Sequence, residues 1–263
     1  MSEIFERLTV QAEQFKVLLD NYAEDTNEEH DFGWENRVYS NHYIRRAHLD
    51  IIDLRDTKKI YMMHLCIFPK ITSNSPIFGV DIVAGPNKVT GAFLDYSPVS
   101  EDSHPLTSWF ASETKKYSWK RERELPEWAR AIFSKDMVAA SNINTITELD
   151  AFLKLAHDSL SCYLTNVNYS SSEDLYIDQQ NFYCKMQKQN PHTPRVLESL
   201  GFEKELVVNF INTGLFPEIG MSFLDDLKDS VEEVVEVLVP IVPHSIVEDV
   251  VDVTVDTIVE VVS

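Results

Sequence analysis

Cysteine is scarce in this chain. Its 263 residues hold three, Cys66, Cys162 and Cys184, far apart and never in a Cys-x-x-Cys spacing. A disulfide framework or a thiolate metal site is therefore not expected, and a reducing cytoplasm is. Long apolar runs are missing too: nothing approaches the roughly 18 residues of a membrane-spanning helix, so no membrane partner is expected. The opening MSEIFERLTV is charged and amphipathic and lacks the basic and apolar regions of a secretory signal. Basic residues are outnumbered, with 23 Lys and Arg against 43 Asp and Glu, a net charge of −20. Nucleic acid is disfavoured as a partner, because neutralising phosphates takes clustered Lys and Arg.

What is present is core-forming material. Hydrophobic residues make up 44% and aromatics 11%, enough for a sizeable core in one domain, or one domain plus an appendage. The acidity is uneven. From Met221 to Ser263 there are eleven acids and one base, Lys228, on a Val-rich background divided by Pro240 and Pro243. This suggests a domain over 1–220 followed by an acidic extension over 221–263, compatible with short amphipathic helices, edge strands or a mobile tail.

Periodicity predicts an amphipathic helix over SEIFERLTVQAEQFKVLLDNY. Strand-like runs follow: RVYSNHYIRRAHLDIIDL, KKIYMMHLCIFP, IFGVDIVAG and KVTGAFLDYSP, with Ala84-Gly85-Pro86-Asn87 as a hairpin turn. Their short connections favour antiparallel pairing. Pro105 to Asp136 reads as polar and aromatic, with a helical turn in LPEWARAIFS and a strand in DMVAAS. Then come a strong helix, TITELDAFLKLAHDSLSCYLTNV, with Thr147 as a candidate N-cap, and a second in SSEDLYIDQQNFYCKMQKQN, broken by Pro191 and Pro194. Two short helices are divided at Gly201. Strands followed by helices point to an α/β layered domain.

Asp81 stands out because it interrupts an apolar strand, where an unpartnered carboxylate is costly. His48 and Asp50 share a face if their run is extended, and His64 lies in the next strand. One sheet face can thus display His48, Asp50, His64 and Asp81. Taken singly, each of these histidines, and His192, suits a structural role. Together, the set suits either a mononuclear metal or the delivery of protons by groups of tuned pKa; spacing leaves both open.

The blocks LCIFPKITSNSPIFGVDIVAG, AFLDYSPV, RELPEWARAIFS and NFYCKMQKQNPHTPRVLESLGF resemble, in sequence and order, the ferredoxin-dependent bilin reductases. The likeness runs from about Asn36 to Pro217 and is strongest to the members that make phycocyanobilin. It implies a three-layer α/β/α sandwich with a central antiparallel sheet, biliverdin IXα as substrate, external reduced ferredoxin as one-electron donor, no bound flavin, haem or metal, and a monomer. It places Asp81 as the proton donor, His64 across the chromophore from it, and His48 as that histidine's partner. Arg123, His192 and Thr90 fall near the propionates, and Asn190, Thr193 and Val196 on the pocket wall. His192 stands where the family usually has lysine.

Asp50 departs from the pattern. The phycocyanobilin-forming members carry glutamate there, which serves reduction of the D-ring vinyl group; aspartate is a methylene shorter, and proton transfer needs heavy atoms about 2.6–3.2 Å apart. The expected product is phycoerythrobilin, by four-electron reduction through 15,16-dihydrobiliverdin, as in a branch sharing this aspartate; phycocyanobilin is the alternative, and a non-catalytic bilin-binding protein the second. Lys115, Lys116, Lys120, Arg121 and Arg130, beside Arg123, form the candidate basic patch for ferredoxin, although Glu113, Glu122, Glu124 and Glu127 offset part of the charge.

Overall fold

Seven strands form one sheet in which each pairs antiparallel with its sequence neighbour, in the order β1 to β7. The structure, a computed structural model, describes residues 2–28, 31–167 and 174–220. The strands are β1 Glu24–Asp25, β2 Glu35–Ser40, β3 Ile44–Leu54, β4 Ile60–Pro69, β5 Ile77–Ala84, β6 Val89–Ser97 and β7 Val138–Ile143. The helices are α1 Glu3–Tyr22, α2 Pro105–Thr114, α3 Glu127–Arg130, α4 Ile146–Asn166, α5 Ile177–Gln187, α6 His192–Leu200 and α7 Lys204–Asn209, with a π-helical segment at Phe210–Leu215.

Each face of the sheet has its own core. On one face, Leu49, Leu65, Val80 and Leu94 pack with Phe15 and Leu19 of α1, Phe110 of α2 and Phe152 and Leu160 of α4. On the other, Ile52, Cys66, Phe68 and Ile77 pack with Tyr183 and Cys184 of α5, Leu197 of α6, and Phe210 and Leu215 of the π-helical segment. The result is the expected three-layer α/β/α sandwich. Each of these large apolar side chains contributes about 1.5–3 kcal/mol when fully buried.

Several boundaries differ from the reading above. RVYSNHYIRRAHLDIIDL is two strands, because Asn41 folds its side chain back and its Oδ1 accepts from the backbone N–H of Tyr43 and of Ile44, an Asx turn. The segment after Pro105 opens with a ten-residue helix, α2. Its cap is His104, whose Nδ1 accepts from the N–H of Leu106 at 3.1 Å. Histidine is not among the preferred N-caps, so the only local mark of this start was Pro105 at the first helical position. Thr145, not Thr147, caps α4 by accepting from Glu148 N–H. α5 begins at Ile177, and the earlier part of its expected span, 168–173, lies outside the described residues. Pro191 and Pro194 do end α5, but Pro194 also sits in the first turn of α6, where its missing N–H is tolerated. Gly201, at φ 101°, closes α6. The last expected helix is an α-helical turn running into the π-helical segment. The 221–263 extension lies outside the described residues.

Candidate functional site

β3, β4, β5 and β6 bring the candidate side chains into a single row. Asp50 is directly opposite His64, His64 opposite Asp81, and Asp81 opposite Phe93. Directly opposed residues share a face, and His48 joins them two residues from Asp50. The face expected from alternation is therefore formed. The helical layer buries one end of it (Cys66, Phe68, Ile77 and Asp95) and leaves Met62, His64, Gly79, Asp81, Val83 and Phe93 partly open.

At the buried end of the row, the Asp50 carboxylate is wedged between two histidines. Its Oδ2 lies 3.2 Å from His48 Nδ1 and 3.9 Å from His64 Nδ1. Its Oδ1 accepts from Trp34 Nε1 at 3.1 Å. Ring edges seal the cluster: Phe210 is 6.4 Å from His48 and Phe216 is 5.9 Å from His64, centroid to centroid.

Asp81 occupies the open end. Burial pushes its pKa up from 3.8, opposed by the nearby positive charge of His64 and Arg123. A carboxyl whose pKa is raised by burial, beside a histidine, is suited to hand a proton to a ligand lying over the row. Arg123 reaches the row from the sheet edge. The segment around Glu122 runs antiparallel beside β7; the Arg123 guanidinium lies 5.5 Å over the Phe93 ring and its Nη2 donates to Thr90 O at 2.8 Å. Thr90 is therefore beside Arg123, and its hydroxyl donates to Val83 O at 2.9 Å.

The other expected ligand residues form a separate group at the start of α6. His192 N–H donates to Asn190 Oδ1 at 2.9 Å, and Asn190 Nδ2 donates to Thr193 Oγ1 at 3.3 Å. His192 is exposed, and Val196 and Thr193 are half-buried. The five basic residues of the candidate docking patch, Lys115, Lys116, Lys120, Arg121 and Arg130, are all exposed; Lys116 pairs with Glu113 at 2.5 Å.

Trp34 and Phe93 belong to the site and were not read from the sequence. Phe93 was findable: it lies two residues before Asp95 on the face that alternation assigns to the row. Trp34 was not, because its role depends on a side-chain contact from the bend before β2 to Asp50 of β3, 16 residues away. Asp95 is a further buried acid on this face, opposite Gly79. Burial raises its pKa from 3.8 to about 6, against hydrogen bonds from Ser134 and Ser97. Cys66 and Cys184 are buried on the same side, and burial drives the Cys66 thiol pKa upward, which makes it an inert packing group. A recess lined by Thr9, Lys16, Trp34, Arg55, Tyr61 and Phe202 includes none of His48, His64 or Asp81. Among the described residues no group of three or more His, Cys, Asp and Glu side chains is arranged to hold a metal ion, and no helix is long and apolar enough to cross a membrane.

Comparison with known proteins gives a consistent result. A family model described as ferredoxin-dependent bilin reductase matches residues 2–217. Phycocyanobilin:ferredoxin oxidoreductase from Synechococcus sp. (strain CC9605) is 34% identical over 182 residues, 66% of this chain and 71% of that protein. The enzyme of the same name from Gloeobacter violaceus is 29% identical over 188 residues, 69% of this chain and 72% of that protein. A solved structure of PcyX superposes with a TM-score of 0.60 at 32% identity, covering 81% of this chain and 99% of the other. The crystal structure of tomato phytochromobilin synthase in complex with biliverdin gives 0.58 at 15% identity, covering 84% and 87%, a likeness of fold.

Proposed function

This chain belongs to the ferredoxin-dependent bilin reductases, and from that premise we propose that it reduces biliverdin IXα over the Asp50–His64–Asp81–Phe93 row, with Asp81 as proton donor. The observation that carries this reading is the pairing of His64 and Asp81 directly across β4 and β5, with the carboxyl half-buried and its proton held by burial. A conjugated open-chain tetrapyrrole accepts an electron more readily once protonated. Asp81 supplies that proton, and His64, with Asp50 and His48 behind it, fixes the polar surroundings of the ligand. Phe93 offers a flat apolar surface, and Arg123 a cation for a propionate. By the family resemblance, Asn190, Thr193 and Val196 at the start of α6 are assigned to the pocket wall, and His192 and Thr90 to the propionates.

Electrons come from outside, one at a time, from reduced ferredoxin docked on the Lys115–Arg130 patch; the protein contributes positioning and protons. The enzyme is a cytoplasmic monomer without a resident cofactor, with a reductase domain over 1–220 followed by the acidic 221–263 extension.

The product is phycoerythrobilin. Four ferredoxin electrons and four protons reduce the C15–C16 bridge and then the A-ring diene, and the D-ring vinyl group is spared. Asp50 supports this: the residue is 2% exposed, and its carboxylate accepts from Trp34 with Oδ2 3.2 Å from His48 Nδ1. Anaerobic turnover with biliverdin and reduced ferredoxin, followed by chromatography of the pigments, tests the reading. The expected end product is phycoerythrobilin, and Asp81→Asn is expected to slow its formation at least about a hundredfold without lowering the melting temperature. A phycocyanobilin end product overturns the product assignment; an Asp81→Asn enzyme as fast as the parent overturns the site.

A further inference from the structure

We propose that Trp34 is a positioning residue that determines what Asp50 can do: its indole N–H pins the carboxylate against the two histidines and keeps it from serving the ligand directly. This deepens, and rests on, the reading of the row as the bilin site.

The geometry is specific. Indole is a donor only, and Trp34 Nε1 spends its single hydrogen on Asp50 Oδ1 at 3.1 Å. That leaves Oδ2 to face His48 Nδ1 and His64 Nδ1. The indole cannot easily turn away, because three rings hold it: Phe32 stacks on it at 5.6 Å, and Phe202 and Phe210 meet it edge-on at 4.9 Å and 4.8 Å. Gly33 sets the approach, with a φ of 81° that side chains other than glycine rarely adopt. The carboxylate it holds is almost fully buried, and a charged hydrogen bond at a buried site is among the stronger ones. Asp50 therefore acts through His48 and His64, and its shorter side chain is only part of why the vinyl group is spared.

The test is a double-mutant cycle on the full-length protein with biliverdin and reduced ferredoxin: Trp34→Phe, Asp50→Asn and the pair combined, with Phe202→Leu added as a variant that loosens the aromatic clamp and keeps the donor. Trp34→Phe keeps an aromatic ring in the cage, and thermal melts confirm folding. Trp34→Phe is expected to lower kcat about tenfold, the range of one charged hydrogen bond, with KM for biliverdin within about twofold. In the Asp50→Asn background the same substitution is expected to have no further effect. Released from the indole, Asp50 can carry a proton to the ligand, so Trp34→Phe should also yield some vinyl-reduced bilin. That reduction consumes two ferredoxin electrons and two protons, one from the Asp50 carboxyl and one from solvent, which then reprotonates the carboxylate. The vinyl-reduced share should vanish in the combined variant. Fully additive losses in kcat, or a Trp34→Phe enzyme with the parental kcat and the parental pigments, overturn the proposal; Phe202→Leu, which frees the indole in part, is expected to show the same changes in milder form. An Asp50→Asn enzyme indistinguishable from the parent instead overturns the underlying placement of the site.

Discussion

One row of side chains across the sheet runs Leu49, Leu65, Val80 and Leu94; the row one residue along, on the opposite face, runs Asp50, His64, Asp81 and Phe93. The same four strands, in the same register, thus present an apolar surface sealed by α1, α2 and α4 and a polar row left partly open by the shorter helices of the other layer. The contrast separates two duties. The sealed face supplies stability through burial, and the open face carries the cost of desolvating carboxyls and imidazoles, which suits the proposed proton chemistry. A strand has a period of two, so a slip of one residue would exchange the two faces entirely; both functions depend on the same register.

The largest expected effect that separates the faces is on stability. Phe152, fully buried in α4 against the apolar face, should cost about 3–5 kcal/mol on replacement by alanine. Its remaining folded fraction should turn over biliverdin at the parental rate. Urea unfolding alongside initial rates measures both, and a folded Phe152→Ala enzyme with altered pigment products would break the division of labour.

A smaller effect belongs to Asp95, the buried acid on the face of the candidate site. Its carboxyl keeps a proton up to about pH 6 in the fold, against an ordinary value of 3.8. The folded pKa is raised, so its contribution is fully present at low pH, where both states are protonated. It falls as pH climbs from about 4 to 6, where only the unfolded chain ionises, by at most about 3 kcal/mol, and is then level. Asp95→Asn lacks this term. The stability of the parent relative to the variant should therefore decline over that window, and parallel urea titrations at several pH values check it. Identical pH slopes in the two proteins would show that this face carries no such penalty.

The smallest effect lies at the sheet edge. Turnover should weaken with rising salt, because exposed charges are screened, and Lys120→Glu should raise KM for ferredoxin about two- to fivefold with kcat unchanged. A KM insensitive to both salt and the charge reversal would move the docking surface elsewhere.

Much of this was legible beforehand. The antiparallel meander followed from strand runs with short connections, and the His48–Asp50–His64–Asp81 face from alternation, because strand geometry ties position to side. The family followed from several motifs in fixed order. Features that depend on particular side-chain contacts were hidden. The Asx turn at Asn41 splits one apparent strand into two, the His104 cap starts α2 where no preferred cap residue stands, and the Trp34–Asp50 hydrogen bond joins segments that no local pattern connects.

By itself the sequence determined which residues share a face, since a period of two is a property of the extended backbone. It also determined that one face would have to house ionisable groups among apolar neighbours. Only the tertiary structure decided which of those groups touch: that Asp50 turns to Trp34 and the histidines while Asp81 stays at the open end. Those contacts depend on where the π-helical segment and the α6–α7 connection lay their aromatic rings, and the packing of distant segments is set by the shape of the whole core rather than by any local run of residues.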